Sequence, residues 1–305
     1  MHHFVRPHSG LWLIIGWLFM SSTLNAANET PMVIKISTTH ELIAGQSYKF
    51  DLSKLILDAT KAEYGDYRFE YYLNSPSASR QAILLKQGDL INLLWGSAGT
   101  AANKVGAIMI PYDLYRGLLG RRICIINSHN KLLFNSITNA NALKNIRIGQ
   151  GVDWPDIEIY KFNNITTIQA PSFEGMFGML TLNRFDCIAL GVTEIDQFYH
   201  ENVAQFPSLQ IEKNLLLYYD LPIYMYISPQ YPRIAERLKK GLQKILANGE
   251  FDRLFARYFH DNITALNLQE RRVICLTSPY FPLDKQCQHI EQINNLDEQQ
   301  IFPPF

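Results

Sequence analysis

The stretch from Asn141 to Ile195 restricts this chain most, because it reads as one strand-turn-helix unit running into a second. Ile146-Arg147-Ile148 has the composition of a short strand. Gly149-Gln150-Gly151 is expected to be a turn that lets the backbone approach a ligand closely. Asp153-Trp154-Pro155 has the form of a helix start, with Asp153 as N-cap and Pro155 in the first turn. Phe173, Met176, Phe177 and Leu180 fall at i, i+3, i+4 and i+7, one face of a helix. Asn183-Arg184 ends that helix, and Phe185 to Leu190 is a second buried strand. In open α/β folds ligands bind beside such turns, at the carboxyl ends of the strands. Binding is therefore the first expectation.

The same alternation precedes this unit. Pro31 to Ser37 reads as a strand, Leu52 to Tyr64 as a helix with Leu55, Ile56 and Ala59 on one side, and Tyr67 to Leu73 as an aromatic-rich strand. Ser79 to Gln87 is a short helix ended by Gly88, and Ile91 to Trp95 is a third strand. That order predicts a parallel sheet. Ala107 to Ile110 and Ile123 to Ile126 flank a segment with Pro111, Gly117 and Gly120, read as a crossing into a second lobe. Arg116, Arg121 and Arg122 on this crossing are expected to form a solvated face. Leu215 to Ser228 is the return crossing, and two crossings imply a hinge.

A long helix then completes the first lobe, with Pro232 in its first turn and Ile234, Leu238, Leu242 and Ile245 on one face. Asn248-Gly249 stops it, and Phe251, Leu254, Phe255 and Tyr258 begin a second, short helix. Past His260 the pattern weakens, and the Gln/Asn-rich tail from Pro282 to Phe305 reads as a loosely packed extension. The expected division is 28–115 and 221–268 for lobe 1, 116–220 for lobe 2, and 269–305 for a C-terminal extension.

Lys+Arg and Asp+Glu both number 28, so the basic excess of a nucleic-acid binder is missing. At the N-terminus, Arg6 precedes an apolar core from Leu11 to Met20, and small residues surround a cut after Ala26 or Ala27. This is the form of a signal peptide over 1–27, and it predicts a periplasmic mature protein. An uncleaved anchor is the alternative, though the apolar run is short against the ~20 residues of a span. In an oxidising compartment Cys275 and Cys287 could close the loop between them, whereas Cys124 and Cys187, in apolar strands, read as buried thiols. No spacing fits a zinc site; no metal or cofactor is expected.

Leu143 to Gly151, Phe173 to Ile195 and Pro222 to Phe259 together resemble the extracytoplasmic solute-binding proteins of the type that serves polar amino-acid uptake, solute-binding protein family 3. The most specific part is Ile234 to Phe259, with its Ala-Asn-Gly-Glu-Phe-Asp-Arg-Leu-Phe-Ala-Arg-Tyr-Phe ending. Gly117-Leu118-Leu119-Gly120, Trp154-Pro155-Asp156 and Arg184-Phe185-Asp186 are similar to one branch of that family. The resemblance implies a two-lobed, periplasmic-binding-protein-like α/β fold with a two-strand hinge, closing on a small solute. Two departures stand out. The family places an Arg after the third strand, yet Gly96 to Lys104 contains only Lys104 as a cation. The turn before the second-lobe helix often carries Thr, and here it is Val152-Asp153.

Candidate ligand-binding residues follow from position. Trp95 could stack on a ligand and Ser97 could offer a hydroxyl, while a core Trp and a turn-capping Ser are the plainer readings. Lys104 could pair with an anion, or simply be solvated. Gly149 and Gly151 could expose backbone N–H groups, and Trp154 could wall a pocket. Tyr112 and Glu194 lie near the hinge or the strand ends. Arg184 and Asp186 are expected to fix a turn. Ser97, His200 and Asp220 lack the Gly-x-Ser-x-Gly elbow of a hydrolase, so no catalytic residue is expected. The expected function is extracytoplasmic binding of a small polar solute by a monomer, for delivery to a transporter or sensor. A lyase on the same scaffold and a ligand-free interaction protein are the alternatives.

Overall fold

The computed structural model describes residues 1–3, 30–38, 47–74, 76–99, 101–282 and 286–287. The expected signal peptide and most of the Gln/Asn-rich tail lie outside them. The chain divides into Met1–Thr30 and Pro31–Phe305, and everything below concerns the second unit. Among the described residues no helix is long and apolar enough to cross a membrane.

The unit begins with β1 (Met32–Thr38), α1 (Tyr48–Asp58) and β2 (Tyr67–Leu73), and β1 pairs in parallel with β2. Next come α2 (Ala78–Gln87), ended by left-handed Gly88, then β3 (Leu93–Ser97) and β4 (Ile108–Ile110). The expected three-stranded parallel ladder forms only between β1 and β2. Fully buried Asn92 takes over beyond them: its side chain accepts from Lys35 N at 2.7 Å and donates to Val33 O at 2.8 Å.

The chain then enters a seven-stranded sheet through β5 (Arg121–Asn127). It continues through β6 (Arg147–Gly151), α3 (Asp156–Phe162), β7 (Thr166–Ala170), α4 (Phe173–Thr181), β8 (Cys187–Gly191) and α5 (Ile195–Val203). After β9 (Leu209–Ile211) and β10 (Leu215–Tyr218), it leaves again to β11 (Ile223–Ile227), which lies between β3 and β4. Two helices follow, α6 (Pro232–Ala247) and α7 (Glu250–Ala265). Finally β12 (Arg272–Cys275) adds to the seven-stranded sheet, parallel to β10. Below, "first half" means β1–β4 and β11 with α1, α2, α6 and α7, and "second half" means the seven-stranded sheet with α3–α5.

Several local readings change. Gly149-Gln150-Gly151 is strand, not turn, paired with Ile168 to Ala170 of β7. Asp153 is not an N-cap: it holds φ 65°, and the helix starts at Asp156 behind Pro155. The face Met176, Phe177 and Leu180 is buried as expected. Helix α7 is no short helix but has 16 residues, because Phe259 and Ile263 continue its buried face. Past His260, where the sequence pattern weakens, Arg272–Cys275 still forms a paired strand. Cys124 and Cys187 are not free thiols: they are bonded to each other, as are Cys275 and Cys287. The periodicity of a strand marks which face is buried but not which strand lies next to it, so this pairing had no local signal.

Helix α6 packs as its pattern dictates. Ile234, Leu238, Leu242 and Ile245 are buried, with Pro232 at the start. It lies so close to α1 that a Cβ on Gly241 would stand 2.1 Å from Ile56 O. Fully buried Arg237 donates to Leu57 O at 3.2 Å, in the last turn of α1, and to the Thr60 hydroxyl at 3.2 Å and Gly65 O at 2.9 Å in the segment that follows.

Candidate functional site

Two connections, 111–120 and 219–222, form a neck. Asp113 ties them: its carboxylate accepts Tyr115 N at 3.1 Å and Gly117 N on the first, and Ile223 N at 3.0 Å just beyond the second. The backbones touch where Tyr219 N donates to Gly120 O at 3.1 Å, and a Cβ at Gly120 would meet Tyr219 O at 1.9 Å. The arginines here are not a solvated face. Arg121 and Arg122 are buried, and Arg116 pairs with Asp252 and lies over the rings of Phe251 and Phe255, both at 4.9 Å.

Arg122 organises the end of the second half that faces the neck. It donates to Glu194 at 2.9 Å and to the Tyr219 hydroxyl at 3.1 Å, and pairs with Asp156 at 2.7 Å. Tyr219 donates to Asp156 at 2.5 Å, and Tyr160 stands 3.0 Å from Tyr219. Burial works against the Arg122 charge, but Asp156, Tyr219 and Glu194 outweigh it and raise its pKa. Glu194 Oε1 also accepts Gly191 N at 2.9 Å, so one carboxylate oxygen is fixed by two donors.

Lys49, in the first turn of α1, lies within range of the Glu194 charge. Its side chain reaches solvent, yet lies deep enough among protein atoms that lost hydration lowers its ammonium pKa, with Glu194 acting in the opposite sense. Lys49 helps line a cavity of about 210 Å³, together with Ser53, Phe50, Tyr71, Gln81 and Trp95. Trp95 is held edge-on to Tyr48, 6.2 Å between ring centres, and Tyr48 donates to Leu114 O at 2.8 Å. A cavity with aromatic walls, hydroxyl and amide groups and one cation can orient a small solute that carries an anionic group.

The structure thus puts Trp95 in the wall of the cavity that Lys49 lines, and Glu194 within Coulombic range of Lys49. Ser97 is buried opposite Ile223 in the β3–β11 ladder, Lys104 is exposed in a 3-10 turn, and Tyr112 packs edge-on against Phe251 at 5.6 Å. Gly149 and Gly151 do serve a close approach, but to side chains: added Cβ atoms would lie 2.4 Å from the Phe185 ring and 2.5 Å from Trp154 Nε1. Trp154 itself packs over Gly151 and 6.0 Å from Phe173. Asp186 pairs with Arg147 at 2.9 Å, in the structural role expected of it. Sequence reasoning missed Lys49, Arg122 and Asp156; an Asp at a helix start behind Trp-Pro was the one available signal.

No family model matches the chain, and no curated protein matches it. Solved structures do. A periplasmic binding protein of Salmonella typhimurium with high arginine specificity aligns with 75% of this chain and 99% of its own, at TM-score 0.56 and 13% identity. The GluR0 ligand-binding core in complex with L-glutamate aligns with 76% and 100%, at 0.57 and 11%. An ancestral amino-acid-binding protein, a precursor of cyclohexadienyl dehydratase, aligns with 74% and 95%, at 0.54 and 13%. At such identities the likeness is one of fold. The chain has the two-lobed α/β fold of the periplasmic binding proteins.

Proposed function

We propose that the crevice between the halves binds a small polar solute carrying both an anionic and a cationic group, as an amino acid does, outside the cytoplasm. The observation that carries this is Lys49, which lines the first-half cavity with Trp95 and feels the charge of Glu194 from the second half. Lys49 takes the anionic end, standing in for the Arg that Gly96 to Lys104 lacks. Glu194 takes the cationic end with the oxygen that Arg122 leaves uncommitted, and Trp95 covers the body of the solute. Lobe 1 then comprises 28–115 and 221–268, and lobe 2 comprises 116–220 with β12 added to its sheet. The apolar leader and two disulfides support export, and a membrane transporter or sensor is the recipient.

Isothermal titration calorimetry against amino acids, organic acids and amines tests this. A zwitterion should bind, and both Lys49→Met and Glu194→Gln should weaken it about tenfold or more, the worth of a lost charge-assisted bond. Binding unchanged in both variants would refute the assignment. An enzyme reading draws support only from the likeness to the dehydratase precursor; conversion of the bound compound, followed by mass spectrometry, would favour it.

A further inference from the structure

A third connection joins the halves. Helix α7 packs on α1 and α6 of the first half, and seven residues after it ends the chain is already in β12 of the second. Buried Arg271 fastens this passage. Its Nε donates to Leu266 O at 2.9 Å, at the end of α7, and its Nη1 donates to Glu212 O at 2.6 Å, beside the sheet. Beyond β12, Leu276 N donates to Tyr218 O at 2.7 Å, and Thr277 exchanges two hydrogen bonds with the Asn163 side chain, at 2.8 and 3.0 Å.

The next residues return to the first half. Tyr280 donates to Pro155 O at 2.9 Å in the second half, while its ring lies against Gly99, directly after β3. A Cβ on Gly99 would be 2.4 Å from the Tyr280 ring. Phe281 meets Asp113, Asp220 and Pro222 at a neck cavity of about 120 Å³. The loop has its own internal support. The Gln286 amide donates to Ser278 O at 2.7 Å and Phe281 O at 2.8 Å, accepts from Ser278 N at 2.5 Å, and the Cys275–Cys287 disulfide closes the segment.

We propose that 266–282, fastened by Gln286 and the Cys275–Cys287 disulfide, is a strap that holds the two halves at a fixed separation, with Tyr280 as its contact across them. Two adjacent connections leave rigid halves free to rotate about the line joining them. A third attachment, away from that line, removes the rotation. Opening the crevice therefore requires Tyr280 to leave Gly99 or the strap to slacken, and reduction of Cys275–Cys287 slackens it.

The test uses the full exported chain without solute, so its result is independent of what the crevice binds. Fluorophores on non-natural side chains at the exposed positions of Ile83 and Leu182 report the distance between the halves by time-resolved energy transfer. The wild type should give one narrow distribution. Tyr280→Ala, and separately the pair Cys275→Ser with Cys287→Ser, should broaden it and lengthen its mean. Circular dichroism melts confirm that each variant is folded; the Tyr280→Ala protein, which keeps both disulfides, serves if the cysteine pair does not fold. Distributions matching the wild type in the folded variants would overturn the proposal.

Discussion

Lys49 shows how a residue without any motif comes to carry a charge in a crevice. Its position in the first turn of α1 is set by the helix, and its surroundings are set by Trp95 and Glu194, which are remote in sequence. Burial lowers its pKa more than Glu194 raises it, so the folded state holds the Lys49 proton less tightly than the unfolded chain does. The sign follows: the charged form opposes folding at pH values below the folded pKa, and that opposition fades as pH rises through it. Lys49→Met should melt at a higher temperature than the wild type near neutral pH, with the gap narrowing in strongly alkaline buffer, while solute affinity falls. Paired melts at the two pH values check this, and a variant less stable at neutral pH would contradict it. Arg122 is the converse case, a buried cation whose two carboxylates and one phenol outweigh its lost hydration.

Elements built on a repeating pattern were legible; those defined by their neighbours were not. Helix α6 needed only its apolar spacing, Pro232 and Asn248-Gly249, and Gly249 indeed takes φ 74°. The one demand on α6 that its pattern hides is Gly241, where α1 leaves no room for a side chain because the atom in the way is the backbone oxygen of Ile56. Gly241→Ala should destabilise the fold by about 1–3 kcal/mol despite the better helix propensity of alanine, since a main-chain atom cannot turn aside. Urea unfolding would measure it; a stabilised variant would mean that the helices can separate at little cost. Strand β6 was misread for the opposite reason. The spacing of Gly149 and Gly151 predicts a turn, yet Phe185 and Trp154 occupy the space that their missing side chains leave. Fully buried Gln150 lies between them in the β6–β7 ladder, opposite Gln169.

At the scale of the whole molecule, cross-links reinforce the sheet. Cys124 on β5 and Cys187 on β8 join neighbouring strands across a sequence separation of 63, with 5.4 Å between their Cα atoms. Closing a loop of that length restricts the unfolded chain, and replacing both by Ala should lower stability by about 4 kcal/mol. The 12-residue separation of Cys275 and Cys287 makes that bond worth less in the same terms. Guanidinium unfolding of the two double-Ala variants should therefore rank them in this order, and the reverse order would count against the loop-entropy account.

The sequence by itself determined the α/β class, the long amphipathic helix α6, the buried face of α4 and the two apolar runs that cross between the halves. Each of these rests on local periodicity or on turn chemistry, which travels with the chain. The tertiary structure alone decided that Lys49 and Trp95 share a cavity, that Arg122 anchors Glu194, that Cys124 meets Cys187, and that β12 returns to the second half with Tyr280 reaching back to Gly99. Those are contacts between segments far apart in sequence, and no residue advertises its distant neighbour until the sheets have packed.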